Sequence, residues 1–204
     1  GYEVAKQTGI SRSNAYNSLA SMTEKGAAYL VEEASTRKYV PVPLDEFCKN
    51  RIRKLEESGK WLQEHMPTEK AYVEGYITIE GAENILNKIK NLLSQVDQRV
   101  YISCTRNYLL LLIRELDTLM EERKKVVIIT DQPATFHNAK VYFGENRGMQ
   151  IGIIADSKYV LTGEYGEGSM NTCLYSGQKN FVELYKTALA NEIKLLSIRE
   201  ENKD

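Results

Sequence analysis

The sequence predicts an α/β main domain over residues 71–204, preceded by a small helical unit over residues 1–43 and a charged helix over residues 44–66. Two observations support this organisation. Strand-like and helix-like segments alternate along residues 71–204, which is the order typical of α/β domains. Prolines mark the breaks, with Pro41 and Pro43 before the charged helix and Pro67 after it, where chain-breaking residues are expected.

The composition is that of an ordinary globular protein. The 204 residues are 42 % hydrophobic and 27 % charged, and the formal net charge is -1. This near-neutral balance excludes a protein that coats nucleic acid over its whole surface. Three scattered cysteines lack metal-site spacing and predict reduced thiols in a cytoplasm. We therefore expect no metal, no cofactor and, since no apolar run approaches about 18 residues, no membrane span.

The first unit begins with a helix-turn-helix pattern. A short helix over residues 2–7 is closed by Gly9, a candidate left-handed cap, and Ser11 is a candidate N-cap for the next helix. Gly26 ends that second helix. Its apolar stripe at helical spacing consists of Ala15, Leu19 and Met22.

A hairpin pattern follows, with strand-like residues 29–33 and 38–40 around a polar turn at 34–37. Helix, glycine-containing turn, helix and hairpin is the order of a winged helix-turn-helix. The residue types that contact phosphates and base edges are Ser11, Arg12, Ser13, Asn14, Tyr16 and Asn17 on the second helix, with Arg37 and Lys38 on the hairpin. The alternative is a solvated helix face and a polar turn, since residues 1–43 hold five cations against four glutamates.

The run GYEVAKQTGISRSNAYNSLASMTEKGAAYLVEE, followed by RKYVPVPLDEF, resembles the DNA-binding domain of the TrmB-like family of transcriptional regulators. The matching positions are Tyr16, Leu19, Met22, Lys25, Gly26, Tyr39, Pro41 and Pro43, with Met22 replacing the usual leucine. The resemblance implies binding to double-stranded DNA as a homodimer and a phospholipase D-like second domain. It also implies that the first helix of a complete domain lies upstream of Gly1, so the winged helix-turn-helix here is partial. Relatives that bind sugars use a further C-terminal domain, which we expect to be absent after Asp204.

The charged helix carries a sparse apolar stripe of Phe47, Leu55, Leu62 and Met66. Their spacing suits a coiled-coil-like helix that dimerises. The alternative is a solvated linker helix within one chain, and Gly59 weakens its intrinsic helicity.

The second domain starts with a β-α-β-α-β pattern. Strands are predicted at 76–79, 100–104 and 125–130, with helices at 85–96 and 109–122 between them. This order favours parallel pairing with right-handed crossovers. The remaining predicted elements are strands at 140–143, 150–155, 159–162 and 172–176, a tight turn at 156–158 and a closing helix at 179–197.

Active members of the phospholipase D superfamily, which the second domain resembles, carry the motif H-x-K-x4-D. Asp156 matches its last position, but Met149 and Ile151 replace the histidine and the lysine. Neither side chain has a nitrogen for covalent phosphoryl chemistry, and the histidines His65 and His137 lack the motif spacing. The sequence therefore predicts a non-enzymatic binding domain. A phospholipase D-type phosphodiesterase and a protein-interaction module without DNA binding remain the alternatives.

Polar residues follow several strands of this domain, where open α/β sheets bind ligands. We expect a cleft for a small effector of unknown identity, or merely polar caps on surface loops. The candidate effector-binding residues are Arg106, Asp131, Asp156, Glu164 and Ser169. Arg106 is the cation of this set and could hold an anion.

Overall fold

The computed structural model describes residues 1–33, 36–67, 75–133, 136–145 and 147–201, and the chain divides into two compact units at residues 1–70 and 71–204. The charged helix therefore belongs to the first unit. The first unit contains α1 (Tyr2–Thr8), α2 (Arg12–Glu24), β1 (Ala28–Glu33), β2 (Thr36–Pro41) and α3 (Leu44–His65).

Local residue chemistry explains the two short helices. Gly9 adopts a left-handed φ of 74°, and its N–H donates to the carbonyl of Ala5 to close α1, as expected of a glycine cap. Ser11 caps α2, since its Oγ accepts from the N–H of Asn14 at 3.2 Å. These two caps hold the short turn between the helices, as the sequence predicted.

The core of the first unit is small. Its buried side chains within the described residues are Ala5, Ala15, Ala28 and Val42. Of the predicted α2 stripe, Ala15 is buried and Leu19 is half-buried, whereas Met22 is exposed. The exposure of Met22 corrects the predicted apolar stripe, because the small core of the first unit does not extend to the last turn of α2.

The second unit is built around a seven-stranded mixed sheet. Its strands are β3 (Tyr76–Glu80), β4 (Arg99–Ser103), β5 (Lys125–Thr130), β6 (Ala139–Phe143), β7 (Gln150–Ala155), β8 (Tyr159–Glu164) and β9 (Thr172–Ser176). Its helices are α4 (Ala82–Ser94), α5 (Arg106–Leu110), α6 (Ile113–Glu121) and α7 (Lys179–Glu201). The strand order across the sheet is β3-β9-β8-β7-β4-β5-β6.

The pairing of β3 corrects the sequence prediction. Among the described strands, β4–β5 and β5–β6 are the parallel pairs, whereas β3 pairs antiparallel with β9 at the sheet edge. The hairpins β7–β8 and β8–β9 bring β9 to the edge, where its free side accepts β3. Local pattern could not show this, because β3 and β9 lie about a hundred residues apart.

Hydrophobic packing covers both faces of the sheet. One face packs beneath α4, α5 and α6, and the other packs beneath α7. β5 shows the alternation directly, since Val126 and Ile128 belong to the first cluster and Val127 and Ile129 to the second. The result is a three-layer α/β/α arrangement, in which both faces of a strand are buried.

The helix predicted at 109–122 is interrupted. α5 ends at Leu110, α6 begins at Ile113, and a turn separates them. Five consecutive apolar residues cannot all face the core from one regular helix, and the break decides which of them are buried. Leu109, Leu112 and Leu116 are buried, whereas Leu110 and Leu111 are exposed.

Candidate functional sites

The exposed surface of α2 carries most of the residues predicted to contact DNA. Arg12, Ser13, Asn14 and Asn17 are all exposed, on a helix of 13 residues that is about 20 Å long. Ser11 is exposed too, but its hydroxyl is engaged as the helix cap. Ser11 therefore orders the start of the helix and has less capacity left for other contacts.

Two aromatic rings support the start of this helix. The Arg12 guanidinium lies over the ring of Tyr2, 4.4 Å from its centroid, in a cation–π arrangement. The ring of Tyr16 lies against Gly1, and about half of that side chain is exposed. Arg12 is therefore held near the N-terminus of α2 while its charge stays in solvent.

The hairpin differs in detail from the sequence prediction. Arg37 lies in β2 rather than in the turn, and it is paired opposite Glu32. Its Nε donates to the Glu32 carboxylate at 3.0 Å, so a phosphate would have to compete with that carboxylate. Lys38 is also in β2, opposite Val31. Residues 34 and 35 of the predicted turn lie outside the described residues.

No described side chain of α3 is buried. Of its predicted stripe, Phe47 is half-buried, whereas Leu55 is 75 % and Leu62 is 48 % exposed. Met66, just after the helix, is also exposed, and so are Ile52 and Trp61 beside the stripe. The helix thus presents an apolar surface of the kind that marks interaction sites.

In the second unit, four of the five candidate effector residues lie beyond the strand ends on one side of the sheet. This side holds the C-terminal ends of β4, β5 and β8 and the N-terminal ends of β7 and β9. The Asp131 carboxylate accepts a hydrogen bond from the backbone N–H of Arg106 at 2.8 Å. This bond connects the loops that follow β4 and β5. Arg106 lines a cavity of about 450 Å³ with His137, and Glu164 lines another of about 420 Å³.

Ser169 has partners within its own loop. Its hydroxyl donates to the carbonyl of Gly166 and accepts from the N–H of Asn171. The amide side chain of Asn171 also bonds Gly166 in both directions. Ser169 therefore stabilises the glycine-rich loop that joins β8 to β9.

Asp156 is separated from the other four residues, which corrects the predicted cleft. It lies after the C-terminal end of β7, and its N–H donates to the carbonyl of Arg99, at the start of β4. Its carboxylate accepts N–H bonds from Asp97, Gln98 and Arg99 at 2.8 to 2.9 Å. Because β7 runs antiparallel to β4, Asp156 lies at the opposite strand ends from Arg106 and Asp131.

These bonds dominate the titration of Asp156. Partial burial acts to raise the pKa, but the three backbone donors and the charge of Lys158 outweigh it and lower the pKa below its ordinary value. The charged carboxylate thus holds the β7–β8 turn against the loop before β4.

The two positions that replace the catalytic motif have different surroundings. Ile151 is buried in the cluster beneath α4 to α6, whereas Met149 is 38 % exposed at the edge of the sheet. Isoleucine at position 151 offers no polar side chain to a phosphodiester, although this residue also lines a cavity of about 420 Å³ with Arg147 and Glu164. Burial raises the pKa of the Cys104 thiol to about 12 and that of the Cys173 thiol to about 11, so both thiols are protonated at neutral pH.

Sequence reasoning missed Arg147. Its side chain is 10 % exposed and bonds Ser103 and Glu192, at the cavity of about 420 Å³ that Glu164 also lines. Tyr185 lines this cavity as well, and its hydroxyl accepts from Thr162 at 3.1 Å. Burial raises the pKa of Tyr185, so the phenol stays protonated at neutral pH.

Sequence reasoning also missed a basic pocket of about 330 Å³ on the α7 face. Its cations are Arg99, Lys125, Lys140 and Lys186. A signal was present, since a cation stands two residues before Tyr101, Val127 and Tyr142 on three strands. The pattern acquires meaning only when those strands are known to be parallel neighbours.

Among the described residues, no group of three or more His, Cys, Asp or Glu side chains is placed to hold a metal ion. Within the same ranges, no helix combines the length and the apolar character that crossing a membrane requires.

Comparisons with known proteins fit this arrangement. Residues 1–45 match the family described as the sugar-specific transcriptional regulator TrmB, which confirms the predicted resemblance. The chain is 31 % identical over 146 residues to the uncharacterized protein YrhO of Bacillus subtilis (strain 168), covering 70 % of this chain and 52 % of YrhO. The chain thus spans about half the length of the curated relative it matches.

Solved structures show the fold relationship. TrmBL2, an archaeal chromatin protein described as showing a novel mode of DNA binding, aligns with a TM-score of 0.52 and 17 % identity, covering 88 % of this chain and 80 % of that chain. This similarity shows a shared mixed α/β fold. NucT from Helicobacter pylori aligns with a TM-score of 0.46 and 16 % identity, covering 59 % of this chain and 97 % of that one. The phospholipase D-like fold of the second unit stays a prediction.

Proposed function

Because residues 1–45 match the TrmB family, we propose that this chain is a DNA-binding transcriptional regulator whose first unit contacts double-stranded DNA. The observation that carries the proposal is the N-terminal surface of α2, where Arg12, Ser13, Asn14 and Asn17 are exposed together. Guanidinium, hydroxyl and amide groups at the N-terminus of a helix are suited to phosphates and base edges in a major groove.

The assignment of roles follows from the contacts. Arg12 and Asn17 are the candidates for base or phosphate contact, since both side chains are exposed and the Arg12 guanidinium lies over the ring of Tyr2. Ser11 caps the helix, and Arg37 would exchange Glu32 for a phosphate. Lys38, Ser13, Asn14 and Tyr16 complete the proposed surface.

We propose that α3 pairs with α3 of a second copy to form a homodimer. The exposed side chains of Leu55, Leu62 and Met66 provide an apolar stripe that pairing would remove from water. Two-fold dimers read paired half-sites one helical turn apart, which compensates for the few basic residues that each first unit carries.

The second unit serves, in this proposal, as a non-catalytic platform that binds a small effector. Support comes from the replacement of the motif histidine and lysine by Met149 and Ile151, with Ile151 buried in the core. A ligand changes DNA affinity only if it binds two states of the dimer with different affinity. DNA binding and unpaired cysteines together favour a cytoplasmic location.

The test is DNA binding by the full chain, measured by fluorescence anisotropy with duplex DNA from a selection experiment at about 50 and 200 mM salt. We expect Arg12→Ala to weaken binding roughly tenfold at low salt and to reduce the salt slope by about 1. Arg53→Ala is the matched control, since Arg53 is an exposed arginine on α3 and its loss should leave binding within about twofold.

Two results contradict the proposal. One is that the wild-type chain shows no salt-dependent binding to duplex DNA at about 50 mM salt. The other is that Arg12→Ala and Arg53→Ala weaken binding equally, which would place the contact outside the α2 surface. The protein-interaction alternative predicts the first result.

A further inference from the structure

The basic pocket lies at the edge of the sheet where β4 and β5 begin, on the face that α7 covers. Its lining combines apolar side chains with aromatic rings. Val127, Ile154 and Leu189 are buried residues that line it, and Tyr101 and Tyr142 add two rings. A volume of about 330 Å³ lies within the range of pockets for small molecules.

Strand geometry explains how the cations gather there. Successive side chains of a strand alternate between its two faces, so a residue and its second neighbour share a face. Arg99 shares its face with Tyr101, and Lys125 shares its face with Val127. Lys140 stands beside Val127 in the neighbouring strand and shares its face with Tyr142. Three adjacent parallel strands therefore each contribute a cation, and α7 contributes Lys186.

The charge of the pocket has one sign. None of the described residues that line it is Asp or Glu, whereas four are Lys or Arg. Lys186 pairs with Glu183 at 3.3 Å on the exposed surface of α7. The nearby Asp156 directs its carboxylate to three backbone N–H groups. The charged side chains that line the pocket are thus all cationic, and they stand beside an apolar floor.

The rings restrain the lysines. Lys140 Nζ lies 5.0 Å from the centroid of Tyr142, and Lys125 Nζ lies 5.9 Å from that of Tyr101. These distances fit cation–π attraction, which holds both ammonium groups at the rim. A ligand with a negative group at the rim and a flat body on the floor would satisfy both parts of the pocket at once.

We propose that this pocket binds a small organic anion with an aromatic or flat apolar body and a carboxylate, sulfonate or phosphate head. The body would pack against Val127, Ile154 and Leu189, and the head would bond Lys125 and Lys140. Binding as such depends only on the second unit. Its role as the effector site rests on the proposed function.

The direct test titrates the full chain with naphthalene-2-sulfonate, followed by isothermal calorimetry at about 50 mM salt. We expect one site per chain. Inorganic sulfate has the head without the body, and 2-naphthylmethanol has the body without a charge. Each should bind at least about tenfold more weakly than the sulfonate, because each satisfies one part of the pocket.

Two variants locate the site. Lys125→Gln combined with Lys140→Gln should weaken sulfonate binding at least about tenfold and leave 2-naphthylmethanol binding unchanged. Ala190→Trp places a large ring at an exposed α7 position that lines the pocket, and it should block both probes. The matched control is Lys88→Gln, since Lys88 also lies over a tyrosine ring, 3.9 Å from that of Tyr175, but outside the pocket. Circular dichroism verifies that each variant folds.

Several results overturn the proposal. Equal sulfonate binding by the wild type and the double lysine variant would show that Lys125 and Lys140 do not bind the head group. Sulfonate binding that survives Ala190→Trp would show that the probe binds outside this pocket. Sulfate that binds as tightly as the sulfonate makes the site a simple anion site. Duplex DNA that binds through Lys125 and Lys140 while the sulfonate does not would make this surface a nucleic-acid contact. The Arg12→Ala result on DNA is independent of these titrations, so the two proposals can fail separately.

Discussion

Asp156 shows how a single carboxylate joins two distant parts of the chain. Its backbone adopts a positive φ of 50° in the turn between β7 and β8, and its oxygens accept three N–H bonds from residues 97–99. These donors would otherwise lack protein partners at the start of β4. The residue that sequence comparison would place in a catalytic motif is therefore explained by its structural contacts.

We expect Asp156→Asn to lower the free energy of unfolding at pH 7 by about 1–2 kcal/mol, because the amide cannot accept all three bonds. Asparagine tolerates positive φ, so the change tests the carboxylate and not the turn. A lowered folded-state pKa stabilises the native state above the unfolded pKa. The advantage over the variant should thus shrink as the pH falls from about 4 through the folded pKa.

Urea unfolding of both proteins at a series of pH values measures this difference. Asp97→Asn is the matched control, because Asp97 is exposed in the same loop and only its backbone N–H bonds Asp156. A constant stability difference between pH 7 and pH 3 would contradict the role assigned to the Asp156 carboxylate.

Gly152 is a second residue whose identity the packing requires. An added Cβ would collide with the hydroxyl group of Tyr185, an α7 residue whose ring packs against the hydrophobic cluster between α7 and the sheet. We expect Gly152→Ala to destabilise the chain by about 1–3 kcal/mol, because the ring must move from a packed position. In urea unfolding, Gly152→Ala with Tyr185→Ala should lose less than the sum of the single changes. Additive losses would show that the clash is relieved elsewhere.

At the scale of elements, α3 stands out because packing within the described chain explains little of it. The helix has 22 residues, no buried side chain among those described, and five cations that alternate with five acids. Exposed pairs such as Lys49–Asp45 at 2.8 Å contribute only about 0.3–0.5 kcal/mol each. Intrinsic helicity therefore matters more for α3 than for the helices that cover the sheet.

Gly59 lies within α3, where an added Cβ would meet no atom within 4 Å. We expect Gly59→Ala to stabilise the helix by about 0.5–1 kcal/mol, since alanine loses less backbone entropy on folding. Thermal unfolding followed by circular dichroism would measure this as a raised midpoint. A lowered midpoint would contradict this expectation.

At the scale of the whole molecule, the chain divides into a small first unit and a larger second unit. The first unit has a core of four small or medium side chains, whereas the second encloses two large clusters on either face of its sheet. Stability is therefore concentrated in residues 71–204. The first unit gains most from any assembly that covers its exposed apolar residues.

We expect Leu55→Glu combined with Leu62→Glu to convert a dimer into a monomer, measured by light scattering after size exclusion. Charges buried at a helix interface are strongly unfavourable without partners. DNA affinity should fall at least about tenfold with the loss of the second half-site. The control is Asn50→Glu combined with Gln63→Glu, which adds the same charge at other exposed α3 positions. A monomeric wild-type protein would contradict the dimer proposal.

Local pattern predicted the elements well where one face meets one core. The stripe of Ile85, Ile89 and Leu93 predicted α4, and the apolar run of β5 predicted a strand covered on both faces. It failed where a long-range partner decides the outcome. The antiparallel place of β3 depends on β9, and the interruption after Leu110 depends on which leucines meet the sheet.

The sequence by itself determined the order of elements, the caps at Gly9 and Ser11, the α2 surface and the family of residues 1–45, because these depend on neighbours a few residues apart. Tertiary structure alone decided that Asp156 lies away from Arg106, and that cations from β4, β5 and β6 meet over one apolar floor. The physical reason is that strand order and direction bring together residues that are distant in sequence. The cations that stand two residues before Tyr101, Val127 and Tyr142 form one pocket because β4, β5 and β6 are parallel neighbours.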